Sequence, residues 1–503
     1  MSKSTRHPRF RHRLRTLRSL ASIAVIAAFP IARAGADDLA SPPPPVHASA
    51  HREITTRVPE AQAAYDDGLI RLYAFNVGAA RGDFARAADL DPNCAMAFYG
   101  QALTEITDIN VDTDGASLAR GRADVARARK AREGSPIERT LIAAVARRFA
   151  PAKDDATAQR SYESAMRDYT EANKSDADGA VEAAFAVWKA EPNLQTKLAA
   201  EIGTLLDRAL ALDPNQFGAH HLRVHYEEEI EKPAAALPDA TFLDAATYDP
   251  GESHLPHMAG HIYIRLGDYA RAVASNETAI ANDAVYFAHG DAAGIAYMRG
   301  YHDHDLDFVL YGLTTLGRDD EARQVAARED PYARAAVALR EHDWTAVLAA
   351  RATDKTAIAI ADARLGKLDV ALAAARTDDN KPPPAFVARL IDGASARARG
   401  DIVAAVKAYA AAYAARPTFL GDPKYLWYAP IGEAYGAALL RARRYAEAET
   451  VFTAELTRYP NDPHLLFGRA YARTGLHEDA TADRAAANAL WQGHAIPSVD
   501  DLG

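Results

Sequence analysis

Two kinds of turn recur along this chain and divide it into short segments with helical periodicity. The first closes a segment with proline, as in Asp91-Pro92-Asn93 and Asp213-Pro214-Asn215. Because proline cannot continue a helix, each copy marks the handover between two units. The second joins two helices through a glycine, as in Leu266-Gly267-Asp268-Tyr269-Ala270. Further copies of the two turns are Glu191-Pro192-Asn193, Tyr248-Asp249-Pro250, Tyr459-Pro460-Asn461, Leu316-Gly317-Arg318, Arg443-Arg444-Tyr445 and Thr474-Gly475-Leu476.

This alternation is typical of tetratricopeptide repeats (TPRs), in which two short antiparallel helices form each unit. One unit cannot bury its apolar face alone, so successive units stack. The predicted fold class is therefore all-α, a TPR-like α-solenoid. The single cysteine, Cys94, excludes an intrachain disulfide and a cysteine-rich metal site. The predicted division is a signal peptide at 1–34, a Pro-rich linker at 35–58, repeats at 59–190, histidine-rich repeats at 191–330, further repeats at 331–490 and a tail at 491–503.

The N-terminal residues have the pattern of a secretory signal peptide. Basic residues precede an apolar core at 20–31 that is too short to span a bilayer, and Ala32-Arg33-Ala34 has the spacing that a signal peptidase reads. We therefore expect a periplasmic or secreted protein with no membrane span after signal removal. Residues 1–34 carry eight Lys or Arg and no acid, so the formal charge of −10 becomes −18 without them. A chain this acidic is not expected to bind nucleic acid.

Three histidine clusters lie between residues 218 and 311. With Gly267 taken as position 15 of its repeat, His254, His257 and His261 fall at positions 2, 5 and 9, which face the concave groove of such a solenoid. Counting back 36 residues places His221, His225 and Glu228 on the first helix of the preceding repeat. Counting back from Gly317 places His304, Asp307 and Tyr311 on the first helix of the following repeat. Three adjacent helices are thus predicted to direct imidazoles and acids into one groove.

This arrangement predicts a metal site. Residues four apart on a helix share one face, with Cβ atoms about 5–6 Å apart, and packed helices lie about 8–10 Å apart. Imidazoles of adjacent helices can therefore converge on an ion with bonds of about 2.0–2.1 Å. The donors suit one or two ions of copper, iron or zinc. The predicted ligands are His221, His225, His257, His261, His304 and Asp307, and the predicted catalytic groups are Glu228 and Tyr311.

Two functions are compatible with this pattern. The groove would hold metal and act as a metal-dependent oxidoreductase or hydrolase on a small-molecule or peptide substrate. Alternatively, it would be a metal-free scaffold that binds a peptide or protein partner. The sequence has no HExxH motif, Gly-rich phosphate loop, nucleophile elbow or CxxC pair, so a zincin protease is not supported. His220, His289 and His302 face other directions in this count and are predicted to be structural.

Several motifs resemble those of a family of bacterial TPR proteins, most of them of unassigned function, over about residues 61–472. The motifs are Tyr73-Ala74-Phe75-Asn76, Leu90-Asp91-Pro92-Asn93-Cys94, His221 with His225 and Glu228, His257-Met258-Ala259-Gly260-His261-Ile262, His304-Asp305-Leu306-Asp307-Phe308, Trp427-Tyr428-Ala429-Pro430 and Leu466-Phe467-Gly468. Two positions depart from the family pattern: Val77 replaces a usual histidine, and so does Asp307. The resemblance implies the repeat fold and the four central histidines, but no particular reaction.

Overall fold

The structure, a computed structural model, describes residues 46–106, 108–111, 113–191, 194, 196, 198–290, 292–329, 331–350, 354–376, 382–416 and 430–503. The predicted signal peptide at 1–34 and the first part of the predicted linker, 35–45, lie outside these ranges. The motif Trp427-Tyr428-Ala429 and the turn residues Pro192-Asn193 also lie outside them.

The described ranges contain 24 α-helices, one short 3-10 helix at Pro233–Ala236 and two isolated β-bridges. The first twelve helices are α1 (Pro59–Tyr73), α2 (Val77–Leu90), α3 (Ala95–Leu103), α4 (Gly115–Lys130), α5 (Pro136–Phe149), α6 (Asp155–Ala172), α7 (Ala177–Ala190), α8 (Ala200–Leu212), α9 (Phe217–Glu229), α10 (Leu237–Ala245), α11 (His254–Leu266) and α12 (Tyr269–His289). The remaining twelve are α13 (Ala292–Thr315), α14 (Asp319–Arg328), α15 (Pro331–Arg340), α16 (Trp344–Ala349), α17 (Lys355–Arg364), α18 (Leu368–Ala374), α19 (Ala385–Ala398), α20 (Ile402–Ala414), α21 (Ile431–Arg441), α22 (Tyr445–Arg458), α23 (Pro463–Gly475) and α24 (Thr481–Leu490).

The helices begin and end at the turn residues that the sequence indicates. The Asp268 side chain accepts a hydrogen bond from the Arg271 N–H and begins α12, and Ser135 with Glu138 forms a capping box at the start of α5. Gly267 ends α11 with a φ of +77°, a left-handed conformation that glycine adopts without steric cost. The short turns therefore separate helices that fold back on one another.

Consecutive helix pairs pack closely around phenylalanine rings. Phe84 of α2 lies between Gly68 of α1 and Gly100 of α3, where an added Cβ atom would stand 2.7 Å and 2.4 Å from the ring. Phe452 of α22 has the same arrangement between glycines of α21 and α23. Each helix packs mainly on the next helix and on the one after it. The predicted all-α solenoid of TPR-like helix pairs is confirmed.

Compared with the other repeats, the chain has extra residues between 280 and 300, for which the sequence predicts an inserted loop or helix; in the structure they lengthen two helices. α12 has 21 residues and α13 has 24, whereas α11 has 13. The first part of α13 extends to the loop after α3, where the Tyr301 hydroxyl donates to Asp108 Oδ2 at 2.7 Å and Tyr297 donates to the same oxygen. The long helix therefore joins the histidine-rich repeats to the N-terminal ones.

The hairpin formed by α1 and α2 also packs on the centre of the chain. α1 contacts α9, and α2 contacts α13. Residues 46–58, which the sequence assigns to a linker, lie against the helices because Arg52 pairs with Asp176 and Glu182 of the α6–α7 region. The described part of the predicted linker is thus packed and not mobile. Among the described helices, none is both long and apolar enough to cross a membrane.

Candidate metal centre

Six histidines from three helices meet in two groups of three. Their members are His221, His225 and His254 in the first group, and His257, His261 and His304 in the second. Within each group the nitrogen atoms able to bind a metal lie within 4.8 Å of one another. The supporting helices α9, α11 and α13 are the first helices of consecutive repeats, as the count from the turn glycines predicts.

The first group joins α9 to the start of α11. His221 Nε2 lies 3.1 Å from His225 Nε2, one helical turn further on. The ring centroid of His254 is 4.9 Å from that of His221 and 5.9 Å from that of His225. Both nitrogens of His254 are buried and have no hydrogen-bond partner among the described residues. A buried polar group in that state is rare in folded proteins and calls for a ligand or an ion.

The second group joins α11 to α13. His257 Nε2 lies 3.0 Å from His261 Nε2. The ring of His304 is 4.9 Å from the ring of His257 and 5.4 Å from that of His261, measured between centroids. The two groups also meet each other, because the His254 and His257 rings are 5.1 Å apart. The six imidazoles therefore form one continuous cluster.

Neutral oxygen acceptors lie behind one histidine of each group. The main-chain oxygen of Tyr73, the last residue of α1, is 2.5 Å from His221 Nδ1. The side-chain oxygen of Asn276 on α12 is 2.6 Å from His257 Nδ1. Each contact places the hydrogen of the imidazole on Nδ1 and leaves the Nε2 lone pair directed into the cluster.

Carboxylates supply the remaining outer contacts. Asp305 Oδ1 is 2.8 Å from His257 Nδ1, and Glu228 Oε2 is 2.9 Å from His261 Nδ1. Glu228 also lies 3.7 Å from Nη1 of Arg265. Glu228, predicted as a catalytic group, therefore stands behind an imidazole, where it orients the ring and makes it a stronger donor.

Burial lowers the pKa values of the three imidazoles in the first group and so favours their neutral form. It lowers the pKa of His221 to about 3, and the neighbouring His257 and His261 act in the same direction. Burial also places the pKa values of His225 and His254 well below the ordinary value, again with help from adjacent imidazoles. Neutral imidazole is the form that binds metal, so protons compete weakly for this cluster at neutral pH.

Aromatic rings enclose the cluster on two sides. Phe75 covers the first group, with its centroid 4.3 Å from His221 and 5.5 Å from His254. Its φ of +55° lies in the left-handed region, which is costly for a bulky residue and occurs preferentially at functional sites. Phe308 covers the second group at 4.6 Å from His261 and 5.1 Å from His304. These rings exclude water from the imidazoles.

The cluster is buried, whereas the sequence places it in an open groove. His221 is 1% exposed and His257 is fully buried, because the α1–α2 hairpin fills the groove above them. His304 is half-buried. The indole of Trp188 stands edge-on to His225 at 6.3 Å and also lines a cavity of about 260 Å³ that Arg148 and other polar residues share. Trp188 therefore stands between this cavity and the first group.

Two predicted site residues lie apart from the groups. Asp307 is buried, but its carboxylate belongs to neither group. Tyr311 packs in the core with its ring 6.1 Å from that of Tyr269, and its charged neighbours are Asp462 and Arg340 of the C-terminal repeats. Tyr311 is two helical turns from His304, or about 10 Å along the axis. It therefore faces the next repeat and not the imidazoles.

Sequence reasoning did not select three residues that complete the cluster. His254 has the groove position 2 but was not chosen as a ligand, and Asn276 and Asp305 were not considered. The spacing of His254, three residues before His257, is the signal that could have identified it, since residues three apart share a helix face. Asn276 lies on the second helix of its repeat, where no motif marks it.

Three further histidines have structural surroundings. Both nitrogens of His220 are satisfied, by Asp239 Oδ1 at 2.7 Å and by the Pro214 oxygen at 3.0 Å. His302 Nδ1 lies 3.1 Å from Asp283 Oδ2. His289 is exposed at the end of α12. The prediction that these histidines lie outside the cluster agrees with these positions.

Comparisons with known proteins identify similar structures but no family. No protein-family model matches this chain, and no curated protein matches it. The chain is similar to the TPR domain of P58(IPK), with 14% identity, 83% of this chain and 98% of that chain covered, and a TM-score of 0.25. It is also similar to yeast Tom70, with 13% identity, coverage of 80% and 85%, and a TM-score of 0.24. Likeness at this level carries no conclusion on function.

Proposed function

We propose that this chain is a metalloprotein that binds two transition-metal ions, one in each three-histidine group. The pair His257 and His261 carries the proposal. His257 Nδ1 donates to the side-chain oxygen of Asn276, and Glu228 Oε2 lies 2.9 Å from His261 Nδ1. The two Nε2 atoms lie 3.0 Å apart, and each ring offers a ligand atom to the same group, so both can bind one ion.

Two Nε2 atoms at this distance either share one hydrogen or bind one cation between them. A metal ion with bonds of about 2.0–2.1 Å in tetrahedral arrangement holds its nitrogen ligands about 3.3 Å apart. The separations of 3.0 Å in this pair and 3.1 Å between His221 and His225 are close to that value.

The donor set favours copper. Imidazoles alone make up both groups among the described residues. Nitrogen donors suit copper, zinc and iron better than magnesium, calcium or manganese, and copper binds such sites most tightly. Three protein ligands also leave a coordination position for a substrate or water. We therefore propose a copper-dependent oxidoreductase acting on a small molecule; zinc in the same site would indicate hydrolysis.

The neighbouring groups support this activity in defined ways. Glu228 and Asp305 offset the positive charge of bound ions and orient the rings of His261 and His257. Phe75 and Phe308 keep the imidazoles dry, which strengthens electrostatic interactions within the cluster. The cavity beside Trp188 is the described pocket next to the first group and could hold a small substrate.

Elemental analysis of the untagged protein tests the proposal. We expect about two ions per chain, and about one in either His221→Ala or His257→Ala, since each variant removes a ligand from one group. His289→Ala removes an exposed imidazole of α12 and serves as the matched control that keeps both ions. Circular dichroism verifies that each variant is folded.

A protein that binds almost no metal would contradict the proposal. Less than about 0.2 ions per chain, with no rise in melting temperature on addition of copper, zinc or iron, would exclude a metal centre, because an ion that binds the folded state must stabilise it. The metal-free scaffold that binds a peptide or protein partner would then be the function to pursue. Two ions retained in both histidine variants would place the ligands elsewhere.

A further inference from the structure

Residues 498–503 lie against the inner helices of the C-terminal repeats. Leu502 is fully buried in the core that these helices form. Nη2 of Arg441 donates to the main-chain oxygens of Val499, at 2.6 Å, and Leu502, at 3.1 Å. Nη1 of Arg397 also donates to the Leu502 oxygen, at 3.3 Å. The segment is held as a bound peptide is held, through its backbone oxygens and one apolar side chain.

An acidic residue of the segment is held by the same two arginines. Nη2 of Arg397 donates to the main-chain oxygen of Asp500 at 2.8 Å, and Nε of Arg441 donates to its carboxylate at 3.2 Å. The Asp501 carboxylate accepts from the Ser498 N–H at 2.7 Å and closes a turn. The groove therefore receives a compact acidic turn followed by a leucine.

The groove also discriminates at Gly503. Its N–H donates to Glu433 Oε1 at 3.1 Å, and the fully buried Glu433 is fixed by Arg340 at 2.9 Å. A Cβ atom on Gly503 would stand 2.4 Å from Cα of Ala434, so no larger residue fits this conformation. The buried Glu433–Arg340 ion pair therefore accepts one particular N–H. A buried ion pair is costly unless its remaining hydrogen-bonding positions are satisfied, so this contact favours a bound segment.

The arginines belong to a row that follows the repeat. Arg340, Arg364 and Arg441 end α15, α17 and α21, each two residues before a residue with positive φ, and Arg397 is next to the end of α19. Burial together with the nearby Arg364 lowers the pKa of Arg441, which shows how closely the guanidinium groups are gathered. Four successive first helices thus present positive charge inside a chain whose formal charge is −10.

We propose that this row forms a peptide-binding groove for an acidic turn followed by Leu-Gly, and that residues 498–503 occupy it as an intramolecular ligand. The partner is a segment of another protein with the same chemistry, which competes with residues 498–503 for the groove. The proposal is independent of metal binding, because none of the six clustered histidines contributes to this groove.

Competition between residues 498–503 and a free peptide determines the affinity that is measured for the peptide. A tethered segment has an effective concentration in the millimolar range, so a free peptide binds only weakly while the tether is seated. Loosening the segment must therefore strengthen binding of the free peptide. Leu502→Ala does so without shortening the chain, because it removes the side chain that anchors the segment in the core.

The test is fluorescence anisotropy with a labelled, amidated peptide of the sequence Ser-Val-Asp-Asp-Leu-Gly. The proteins are the intact chain, a chain lacking residues 498–503, and the intact chain with Leu502→Ala. We expect the two altered chains to bind the peptide at least about tenfold more tightly than the parent chain does. The Leu502→Ala variant keeps the test valid if the shortened chain fails to fold.

Substitutions within one helix provide the control. Adding Arg397→Gln to the Leu502→Ala chain should weaken peptide binding about tenfold, whereas adding Arg389→Gln, an exposed residue of the same helix that pairs with Asp392, should leave it unchanged. Equal binding by the parent and the loosened chains, or an equal effect of the two arginine substitutions, would overturn the proposal. Concentration-dependent dimers in place of peptide binding would also overturn it, since a second copy would then be the occupant.

Discussion

The central and C-terminal repeats use the same scaffold to fill their inner faces in opposite ways. In the centre, α9, α11 and α13 present six imidazoles gathered in two groups of three. In the C-terminal repeats, α15 to α21 present arginines that are already paired with residues 498–503 and with Glu433. The first inner face consists of clustered imidazoles, and the second is occupied by an acidic segment of the same chain.

The difference shows that the repeat fixes where side chains lie on the inner face. It does not fix which residue types occupy these positions. His261 stands six residues before the turn residue Gly267, and Arg265 stands two residues before it, at the register of Arg364 and Arg441. Arg265 in the central repeats pairs with Glu228 and so serves the histidine cluster. One register position thus lies beside the histidine cluster in one region and beside residues 498–503 in the other.

Adding or removing metal should separate the two regions most strongly. At a free-ion concentration about 1,000 times Kd, binding stabilises the native state by about 4 kcal/mol. Hydrogen exchange with and without a chelator measures the effect along the chain. We expect protection of α9, α11 and α13 to rise with metal and that of α17 to α21 to stay unchanged; an equal rise in both regions would contradict the separation.

Leu502→Ala should act on the other region alone. Removing a buried leucine costs about 2–5 kcal/mol, and the lower half of that range is expected because residues 498–503 can relax away from the groove. Urea unfolding measures the loss. Metal content should remain that of the parent chain, so a fall in metal content would show that the regions are coupled.

Glu228→Gln should weaken metal binding without removing a ligand. Replacing the carboxylate behind His261 lowers metal affinity about 10–100-fold by the usual effect of such outer contacts. Glu227→Gln on the same helix is the control, because Glu227 lies 3.7 Å from Arg223 and contacts no clustered histidine. Competition with a chelator of known affinity measures the change, and equal affinities in the two variants would assign Glu228 a different role.

Asp500→Asn should have the smallest effect. The Asp500 side chain is 89% exposed, so its contact with Arg441 resembles a surface ion pair and contributes at most about 1 kcal/mol. The backbone contacts of the segment remain in this variant. Urea unfolding at low and high salt measures it, and a loss above 2 kcal/mol, on the scale of Leu502→Ala, would mean that charge and not the leucine anchors the segment.

Much of the fold and part of the cluster are readable in the sequence. The glycine turns place each helix in a repeat, and a helix face follows from position alone, which brought His221, His225, His257, His261 and His304 together. Counting positions along a helix does not show how deeply a side chain is buried in the folded chain. It does not show that the α1–α2 hairpin covers the groove, because that packing joins residues about 150 positions apart.

The positions of Asp307 and Tyr311 on α13 have a geometric cause. Position counting runs back from Gly317, but α13 has 24 residues and contacts different neighbours at its two ends. His304 faces the cluster, whereas Tyr311, two turns later, faces the C-terminal repeats. The carboxylate beside His257 belongs to Asp305 and not to Asp307, a shift of two residues that moves a side chain by about 200° around a helix.

The strained Phe75 has a consequence for how the chain folds. Solenoid repeats normally contact only their neighbours, so that a terminal repeat can unravel by itself. Here the turn between α1 and α2 holds Phe75 on His221 and His254, while Tyr73 accepts from His221. The first hairpin and the middle of the chain must therefore form together. The N-terminal half is expected to unfold as one cooperative unit, which a linear stack of repeats would not do.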